Sequence, residues 1–421
     1  MTERTMQWTL RNRHVSWALA DQILVSGVNF AVGILLARFL GLAEFGRYSL
    51  IWLVVQFALG MQHAFVTAPM LTLGPKMEKA EDRRAYYGAG LRLQLLFALL
   101  CGGALWLVLW LGSSWQPAWQ LDGLYASLAS VIFAFQIQEF VRRYFYVMSA
   151  SRTVFFYDLA AYGAYLTVVL AGALAGTLRL DLVFWALAGT FGTTTLIGLI
   201  AAGLPAVGGG GLATVIRRHW RFARWLVATA LLQWFGANYF FLAAGALLGT
   251  PAVGALKAAQ GIVGVLHVLF LTVENVMPVR AARLLGEKGV GALRRYAGEV
   301  YLVGGSVTVA TALVVAIAPQ FWLGLFYGAA YADYGGVLQG YAALYVVVFL
   351  GLPVRIMLRT FEITRPIFTA YAINALLSVA LAHLAVARFG LAGVIGGLML
   401  LQIIMHGWCL LALPRRLWGR A

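Results

Sequence analysis

Twelve long apolar stretches follow one another along the 421-residue chain. About 20 apolar residues cross the hydrocarbon core of a bilayer as an α-helix, and each stretch is long enough to do so. The connections between them are too short for a folded domain outside the membrane. The sequence therefore predicts an all-α integral membrane protein with about twelve transmembrane helices. Numbered as spans 1 to 12, the stretches cover residues 15–40, 48–70, 89–111, 124–148, 154–175, 182–204, 225–248, 253–277, 297–318, 337–358, 367–387 and 391–413.

Positive charges are concentrated in alternate connections. The chain carries 31 lysines and arginines against 15 acidic residues. With the N-terminus in the cytoplasm, Arg38, Arg47, Arg179 and Arg388 fall on the far side, Lys257 falls within span 8, and every other cation is cytoplasmic. Because cytoplasmic loops carry an excess of lysine and arginine, we expect both termini in the cytoplasm. The scatter of these cations over short segments indicates no nucleic-acid partner.

The two halves of the chain share short patterns. The connections after spans 1 and 7 both begin with Leu-Gly and contain a second glycine five residues later. Spans 2 and 8 then carry Gln, Gly and His at the same spacing, in Gln56-Gly60-His63 and Gln260-Gly264-His267. Many transporters are built from repeated bundles. We interpret the patterns as a duplication that gives two pseudo-symmetric six-helix lobes, 1–210 and 211–421, around a central cavity.

Polar side chains recur at helical spacing in spans 1, 2, 7 and 8, so they share one face of each helix. Lipid offers no hydrogen-bond partner to such a face, which favours a water-filled cavity. The alternative is ordinary hydrogen bonding between packed helices. The candidate substrate-binding residues are Gln22, Ser26, Asn29, Gln56, His63, Gln233, Lys257, Gln260 and His267.

Carboxylates and arginines within spans are costly unless they are paired or functional. Asp21, Asp158 and Glu274 are candidates for binding a coupling ion. For Asp21 the ion would be a proton or sodium, and the alternative is that Asp21 pairs with a nearby arginine. Glu139 precedes Arg142 and Arg143 by three and four residues, the spacing of ion pairs on a helix. Asp158 is a further possible partner of this basic pair, and an orientation of Arg143 toward the cavity also stays open.

The common catalytic and nucleotide-binding patterns are absent from the sequence. It contains no HExxH, P-loop, CxxC or GxSxG motif. We therefore expect neither enzymatic activity nor a cofactor or bound metal. Transport by this chain would draw on an ion gradient, the membrane potential or the gradient of the substrate itself.

Two short segments resemble a known family. The sequence RFLGLAEFGRY at residues 38–48 resembles the RxLGxxxFGxY segment of polysaccharide transporters in the multidrug/oligosaccharidyl-lipid/polysaccharide (MOP) exporter superfamily. The sequence FGLAGV at residues 389–394 is similar to the GxxGAAxA turn of the same proteins.

The resemblance implies a flippase with two six-helix lobes that open alternately to the two sides of the membrane. Such a protein would move a polyprenyl-diphosphate-linked oligosaccharide across the bacterial inner membrane, through a cavity lined by helices 1, 2, 7 and 8. The partners implied are the lipid-linked oligosaccharide, membrane lipid, and a polysaccharide polymerase with its chain-length regulator. This sequence departs from the family pattern because Lys257 is its only lysine or arginine away from the ends of the spans.

Two other functions are compatible with the sequence. One is a cation-coupled multidrug exporter of the same superfamily, which would rely on acidic residues in its cavity. The other is a membrane subunit that scaffolds a polysaccharide synthase without transporting, or a small polymerase.

Overall fold

The computed structural model describes residues 3–115, 123–203 and 211–414. The regular secondary structure in these ranges is entirely helical, which confirms the predicted fold class. The predicted lobe boundary after residue 210 falls on 204–210, outside the described residues. The helices are α1 (Glu3–Gln62), α2 (Ala68–Leu73), α3 (Ala80–Trp115), α4 (Tyr125–Val147), α5 (Ser151–Leu174), α6 (Leu180–Ala202), α7 (Leu212–Leu247), α8 (Thr250–Val263), α9 (Leu266–Ile317), α10 (Pro319–Tyr327), α11 (Gly335–Thr360) and α12 (Arg365–Leu411), with a π-helix at His63–Thr67 and 3₁₀ helices at Gly74–Lys76 and Ala329–Tyr334.

Three of the long helices are interrupted at a glycine. Gly41 in α1, Gly289 in α9 and Gly390 in α12 have φ of 81°, 72° and 56°, values that glycine adopts without a steric penalty. Eight helical stretches of the described chain are long and apolar enough to cross a membrane, and these glycines divide three of them. Together with the more polar α4, they account for the twelve predicted spans, and the protein is a multi-pass membrane protein.

The described chain divides into two compact units. Unit 1 comprises Met1–Leu40 and Ile51–Ala230, and unit 2 comprises Gly41–Leu50 and Leu231–Ala421. In unit 1, α4 is central and packs against α3, α5 and α6. In unit 2, α11 is central and packs against α8, α9 and α12. Because α4 is span 4 and α11 is span 10, corresponding spans form the centre of each unit.

The Leu-Gly turns identified in the sequence share one backbone conformation. Gly41 has φ 81° and ψ 175°, and Gly249 has φ 85° and ψ 174°. This region of the φ/ψ map is essentially restricted to glycine. The likeness of the two turns supports the duplication that the sequence predicts.

The turns that follow spans 4 and 10 are also alike. Ser149 and Glu362 have φ of 57° and 61°, and among the described residues no other non-glycine has a positive φ. In the first turn the Ser149 N–H donates to the Tyr146 carbonyl, and the Ala150 N–H donates to the Phe145 carbonyl. In the second turn the matching donors are Glu362 and Ile363, and the acceptors are the carbonyls of Arg359 and Leu358. Both are helix C-caps closed by a left-handed residue.

Spans 2 and 8 deviate from regular helix near their shared Gln-Gly-His pattern. The π-helix begins at His63, the first residue of His63–Thr67. Span 8 consists of two helices, because α8 ends at Val263 and α9 begins at Leu266. Breaks and π-bulges of this kind are frequent at functional sites.

Candidate functional site

Arg142 on α4 is the centre of a charged cluster inside unit 1. Its Nη2 lies 2.7 Å from Asp21 Oδ2 on α1, and its Nη1 lies 3.1 Å from Glu139 Oε1. Its Nε donates to Asp158 Oδ2 on α5. Arg143 pairs with the second oxygen of Glu139, with 3.3 Å between Nε and Oε2. These five residues, Asp21, Glu139, Arg142, Arg143 and Asp158, are called the Arg142 cluster below.

The core of the Arg142 cluster is withdrawn from solvent. The exposed fraction is 0% for Asp21 and Asp158 and 8% for Arg142. A buried carboxylate is stable only when its charge is compensated by a partner and by hydrogen bonds. Two neutral groups contribute here: the Tyr146 hydroxyl donates to Asp21 Oδ2 over 2.7 Å, and Gln138 Nε2 donates to Asp158 Oδ1 over 2.9 Å.

The Arg142 cluster contains one more acid than base. With all five side chains ionised, three carboxylates face two guanidinium groups. The Oδ1 atom of Asp21 is buried and has no hydrogen-bond partner among the described residues. The arrangement therefore has the charge and the free acceptor to hold one additional proton or small cation.

The polar faces predicted in spans 1, 2 and 7 are exposed. Where these side chains form hydrogen bonds, the partner lies four residues away on the same segment: Gln22 Nε2 donates to Ser26 Oγ over 3.1 Å, and His63 Nδ1 lies 3.1 Å from Thr67 Oγ1. Neither bond joins two helices. The exposed residues of this group are Gln22, Ser26, Asn29, Gln56, His63 and Gln233.

In unit 2, Lys257 and Gln260 lie on α8 and are partly buried. Lys257 Nζ donates to Gln260 Oε1 over 2.9 Å and lies 4.0 Å from the ring centroid of Phe241. The ammonium is thus held by an amide and an aromatic face, and no carboxylate of the described residues lies within ion-pair distance of it.

His267 and Glu274 are exposed on α9. The His267 ring lies 5.8 Å from the ring of Tyr345 and 6.1 Å from that of Phe270, measured between centroids. Both aromatic residues belong to unit 2. His267 is therefore flanked by aromatic rings on one side and exposed on the other, whereas the His63 ring contacts the Thr67 hydroxyl.

Several polar residues of the interior were not selected from the sequence. Gln138 and Tyr146 belong to the surroundings of the Arg142 cluster, as described. A second group consists of Gln62, Gln94 and Gln136, all buried in unit 1. Gln62 Nε2 donates to the Gln136 backbone carbonyl over 2.7 Å, and Gln94 Nε2 donates to Gln136 Oε1 over 3.4 Å. An amide within an apolar span is the signal that would have found them.

Comparisons with known proteins agree on the fold. Residues 226–384 match the MatE family model. The lipid II flippase MurJ in an inward closed conformation superposes with a TM-score of 0.75 and 11% identity, over 94% of this chain and 87% of that chain. A multidrug resistance MATE family transporter of the MOP superfamily, in an inward-facing conformation, gives a TM-score of 0.71 and 15% identity, over 94% and 95%.

A MOP superfamily transporter from Pyrococcus furiosus gives a TM-score of 0.61 with 14% identity, covering 96% of this chain and 95% of that one. No curated protein sequence has a significant match to the chain. Residues 226–384 are thus similar to the MatE family, and the chain has the same fold as these solved transporters.

Proposed function

We propose that this protein is a MOP superfamily transporter that flips a polyprenyl-diphosphate-linked oligosaccharide across the bacterial inner membrane by alternating access. The cargo would serve the synthesis of a surface polysaccharide. Both termini would then lie in the cytoplasm, as the distribution of positive charge indicates.

One observation favours this cargo over an organic cation. The three acidic residues of the Arg142 cluster are bound to arginines, whereas the exposed polar residues of spans 1, 2 and 7 are amides, a hydroxyl and an imidazole. Amides and hydroxyls donate to and accept from sugar hydroxyls, but they do not attract a cation as a free carboxylate does. The exposed polar residues of spans 1, 2 and 7 are thus suited to the hydroxyl-rich sugars of such a headgroup.

The placement of the faces is compatible with a lipid-linked substrate. A polar group exposed on a membrane helix has no partner in lipid, so we place these faces along a water-filled pathway. The sugars would follow that pathway while the polyprenyl chain stays in the bilayer, where apolar groups are favoured. The lipid II flippase MurJ has the same fold.

Energy coupling is assigned to the Arg142 cluster within this proposal. Asp21 and Asp158 come from different helices and meet at one arginine, and the cluster has one uncompensated negative charge when fully ionised. Binding and release of a proton or sodium ion there would change the interactions that hold α1, α4 and α5 together. Such a change is the kind of two-state element that transport needs.

A deletion strain tests the cargo. We expect loss of the gene to deplete a surface polysaccharide and to raise the amount of its lipid-linked precursor in the cytoplasmic leaflet. Purified protein in vesicles would then move a fluorescent polyprenyl-diphosphate disaccharide to the opposite leaflet. Intact polysaccharide with no accumulation of precursor would rule out the flippase.

A multidrug exporter is the second candidate, because residues 226–384 match the MatE family and Glu274 is an exposed acid within that region. It predicts uptake of an organic cation such as ethidium into inverted vesicles, and loss of that uptake in Glu274→Gln. A third possibility, a scaffold for a polysaccharide synthase, predicts no movement of either substrate in vesicles that contain only this chain.

A further inference from the structure

The repeat places an arginine at the same position in each unit. Arg142 stands seven residues before Ser149, the left-handed residue of the turn after span 4. Arg355 stands seven residues before Glu362, which closes the matching turn after span 10. Arg142 and Arg355 are therefore equivalent residues of the two central helices, α4 and α11.

The three acidic partners of Arg142 have no acidic counterpart in the second half of the sequence. Counted from the same turn, the position of Glu139 corresponds to Leu352, and that of Asp158 corresponds to Tyr371. Counted from the Leu-Gly turns, the position of Asp21 corresponds to Thr229. The duplicated arginine has been kept in unit 2 without the carboxylates that neutralise it in unit 1.

Arg355 is held from one side by a histidine. Its Nη1 lies 3.3 Å from Nε2 of His406 on α12, and His406 is buried. Arginine has no acceptor, so His406 Nε2 accepts this hydrogen bond and the ring carries its proton on Nδ1. Room for the ring is provided by Gly351, one turn before Arg355, because a Cβ there would lie 1.6 Å from His406 Nε2.

The rest of the Arg355 guanidinium is available to a ligand. Among the described residues no carboxylate lies within 4.0 Å of it, and none of its nitrogens is a buried donor without a partner. Its remaining N–H groups are thus accessible at a partly buried position. In unit 1 the equivalent fork binds carboxylate oxygens through Nε, Nη1 and Nη2.

We propose that Arg355, positioned by His406, is a binding site for a phosphate-type oxyanion. A guanidinium binds the oxygens of a phosphate through two parallel N–H bonds, which suits a fork that one neighbour holds in place. The identification of this anion as the diphosphate of a lipid-linked substrate rests on the proposed function. The site supplies an anion-binding arginine that the sequence alone did not indicate, in addition to Lys257.

Binding measurements on the purified full-length protein in detergent test the site. The probes are farnesyl diphosphate, inorganic diphosphate and farnesol. We expect Arg355→Gln to weaken farnesyl diphosphate binding about 10-fold or more, the effect of losing a charge-assisted pair of hydrogen bonds. Binding of farnesol is expected to stay within about two-fold.

Arg359→Gln is the matched control, since Arg359 is an exposed arginine one turn further along the same helix. It should bind farnesyl diphosphate as the unchanged protein does. An equal loss in Arg359→Gln and Arg355→Gln would mean that the anion is attracted by general positive charge, and unchanged binding in Arg355→Gln would remove Arg355 from the site. Either result overturns the proposal.

Two further variants test the guanidinium fork and its histidine neighbour separately. Gly351→Ala keeps the arginine but displaces the His406 ring, so we expect it to weaken farnesyl diphosphate binding as well. Arg355→Lys keeps the charge without the fork and should retain part of the affinity. If Gly351→Ala binds normally, the role assigned to His406 is wrong.

The probes also separate the source of the anion. Weakened binding of inorganic diphosphate in Arg355→Gln, in parallel with farnesyl diphosphate, would assign recognition to the phosphate group whether it is free or lipid-borne. Recognition of the lipid chain instead would show as unchanged inorganic diphosphate binding together with weakened farnesol binding, which contradicts the proposal. A deletion strain with normal polysaccharide and normal precursor would refute the flippase function, but it would not contradict the anion site at Arg355.

Discussion

At the scale of single residues, the molecule uses one residue type in two different ways. Arg142 is saturated by carboxylates on three of its nitrogens, whereas the equivalent Arg355 has a neutral imidazole on one side and accessible N–H groups on the other. A buried ion pair adds little net stability, yet removing one member leaves an uncompensated charge. The two arginines should therefore respond very differently to the same substitution.

We expect Arg142→Gln to destabilise the protein by about 3–5 kcal/mol, because Asp21 and Asp158 would stay buried without their cation. Arg355→Gln leaves no buried carboxylate behind and should change stability by less than about 1 kcal/mol. Thermal unfolding of both variants in detergent micelles measures the difference. Similar melting temperatures for the two variants would contradict this account of the cluster.

A charge-matched double variant provides the control for Arg142. Replacing Asp158 by Asn together with Arg142→Gln removes one of the stranded charges. We expect it to recover part of the lost melting temperature. A double variant less stable than Arg142→Gln would indicate that packing, and not charge, dominates at this position.

At the scale of helices and turns, corresponding turns of the two halves have the same backbone conformation, as a duplication predicts. The pairs Gly41 and Gly249, and Ser149 and Glu362, occupy corresponding turns with nearly equal φ values. The Leu-Gly turns could be predicted because glycine at a turn is visible in the sequence. The turns at Ser149 and Glu362 could not, since neither serine nor glutamate favours a left-handed backbone.

The Leu-Gly turns are expected to depend on glycine. Ala in place of Gly41, or of Gly249, forces a side chain into a backbone region that only glycine populates freely, at a cost of about 1–3 kcal/mol each. Gly27→Ala is the comparison, because Gly27 lies within α1 and a Cβ there meets nothing within 4 Å. The Gly27→Ala variant should melt no lower than the unchanged protein. Melting temperatures of Gly41→Ala and Gly249→Ala that are as high as that of Gly27→Ala would contradict the prediction.

The turns at Ser149 and Glu362 should respond in the opposite direction. Both residues are exposed and hold a left-handed conformation that costs non-glycine residues free energy. Ser149→Gly and Glu362→Gly are therefore expected to stabilise the protein by about 0.5–1 kcal/mol each. Ala160→Gly, at an exposed site inside α5, is the control and should destabilise the protein by a comparable amount. A lower melting temperature in Ser149→Gly or Glu362→Gly would show that the left-handed backbone at that turn is not strained.

At the scale of the whole molecule, both units carry polar groups on membrane-spanning helices. Exposed amides, hydroxyls and imidazoles occur in spans 1, 2, 7 and 8, and Lys257 is held by Gln260 and Phe241, with no acidic partner in the part of the chain that the structure describes. The energetic cost of such groups in lipid argues for a functional reason to keep them. Transport is therefore the property in which their loss should be visible.

If the proposed function holds, Lys257→Ala, and the pair His63→Ala with His267→Ala, should lower flipping of the proposed lipid-linked oligosaccharide at least about tenfold at unchanged membrane abundance, because each removes polar groups from the proposed pathway. His383→Ala is the matched control, since His383 is an exposed histidine in span 11, away from the predicted faces. Its transport rate should equal that of the unchanged protein. Full transport in both test variants would show that these residues serve helix packing and not transport.

The sequence by itself determined the helical membrane fold, the twelve spans and the internal repeat. Apolar stretches and turn glycines act within one turn or one helix, so their effect is readable locally. The pairing of Glu139 with Arg142 and Arg143 could be predicted from their spacing, but only the tertiary structure decided that Asp21 meets Arg142. Asp21 lies 121 residues from Arg142, and the distinction between a saturated Arg142 and an open Arg355 depends on which side chains other helices bring within about 3 Å.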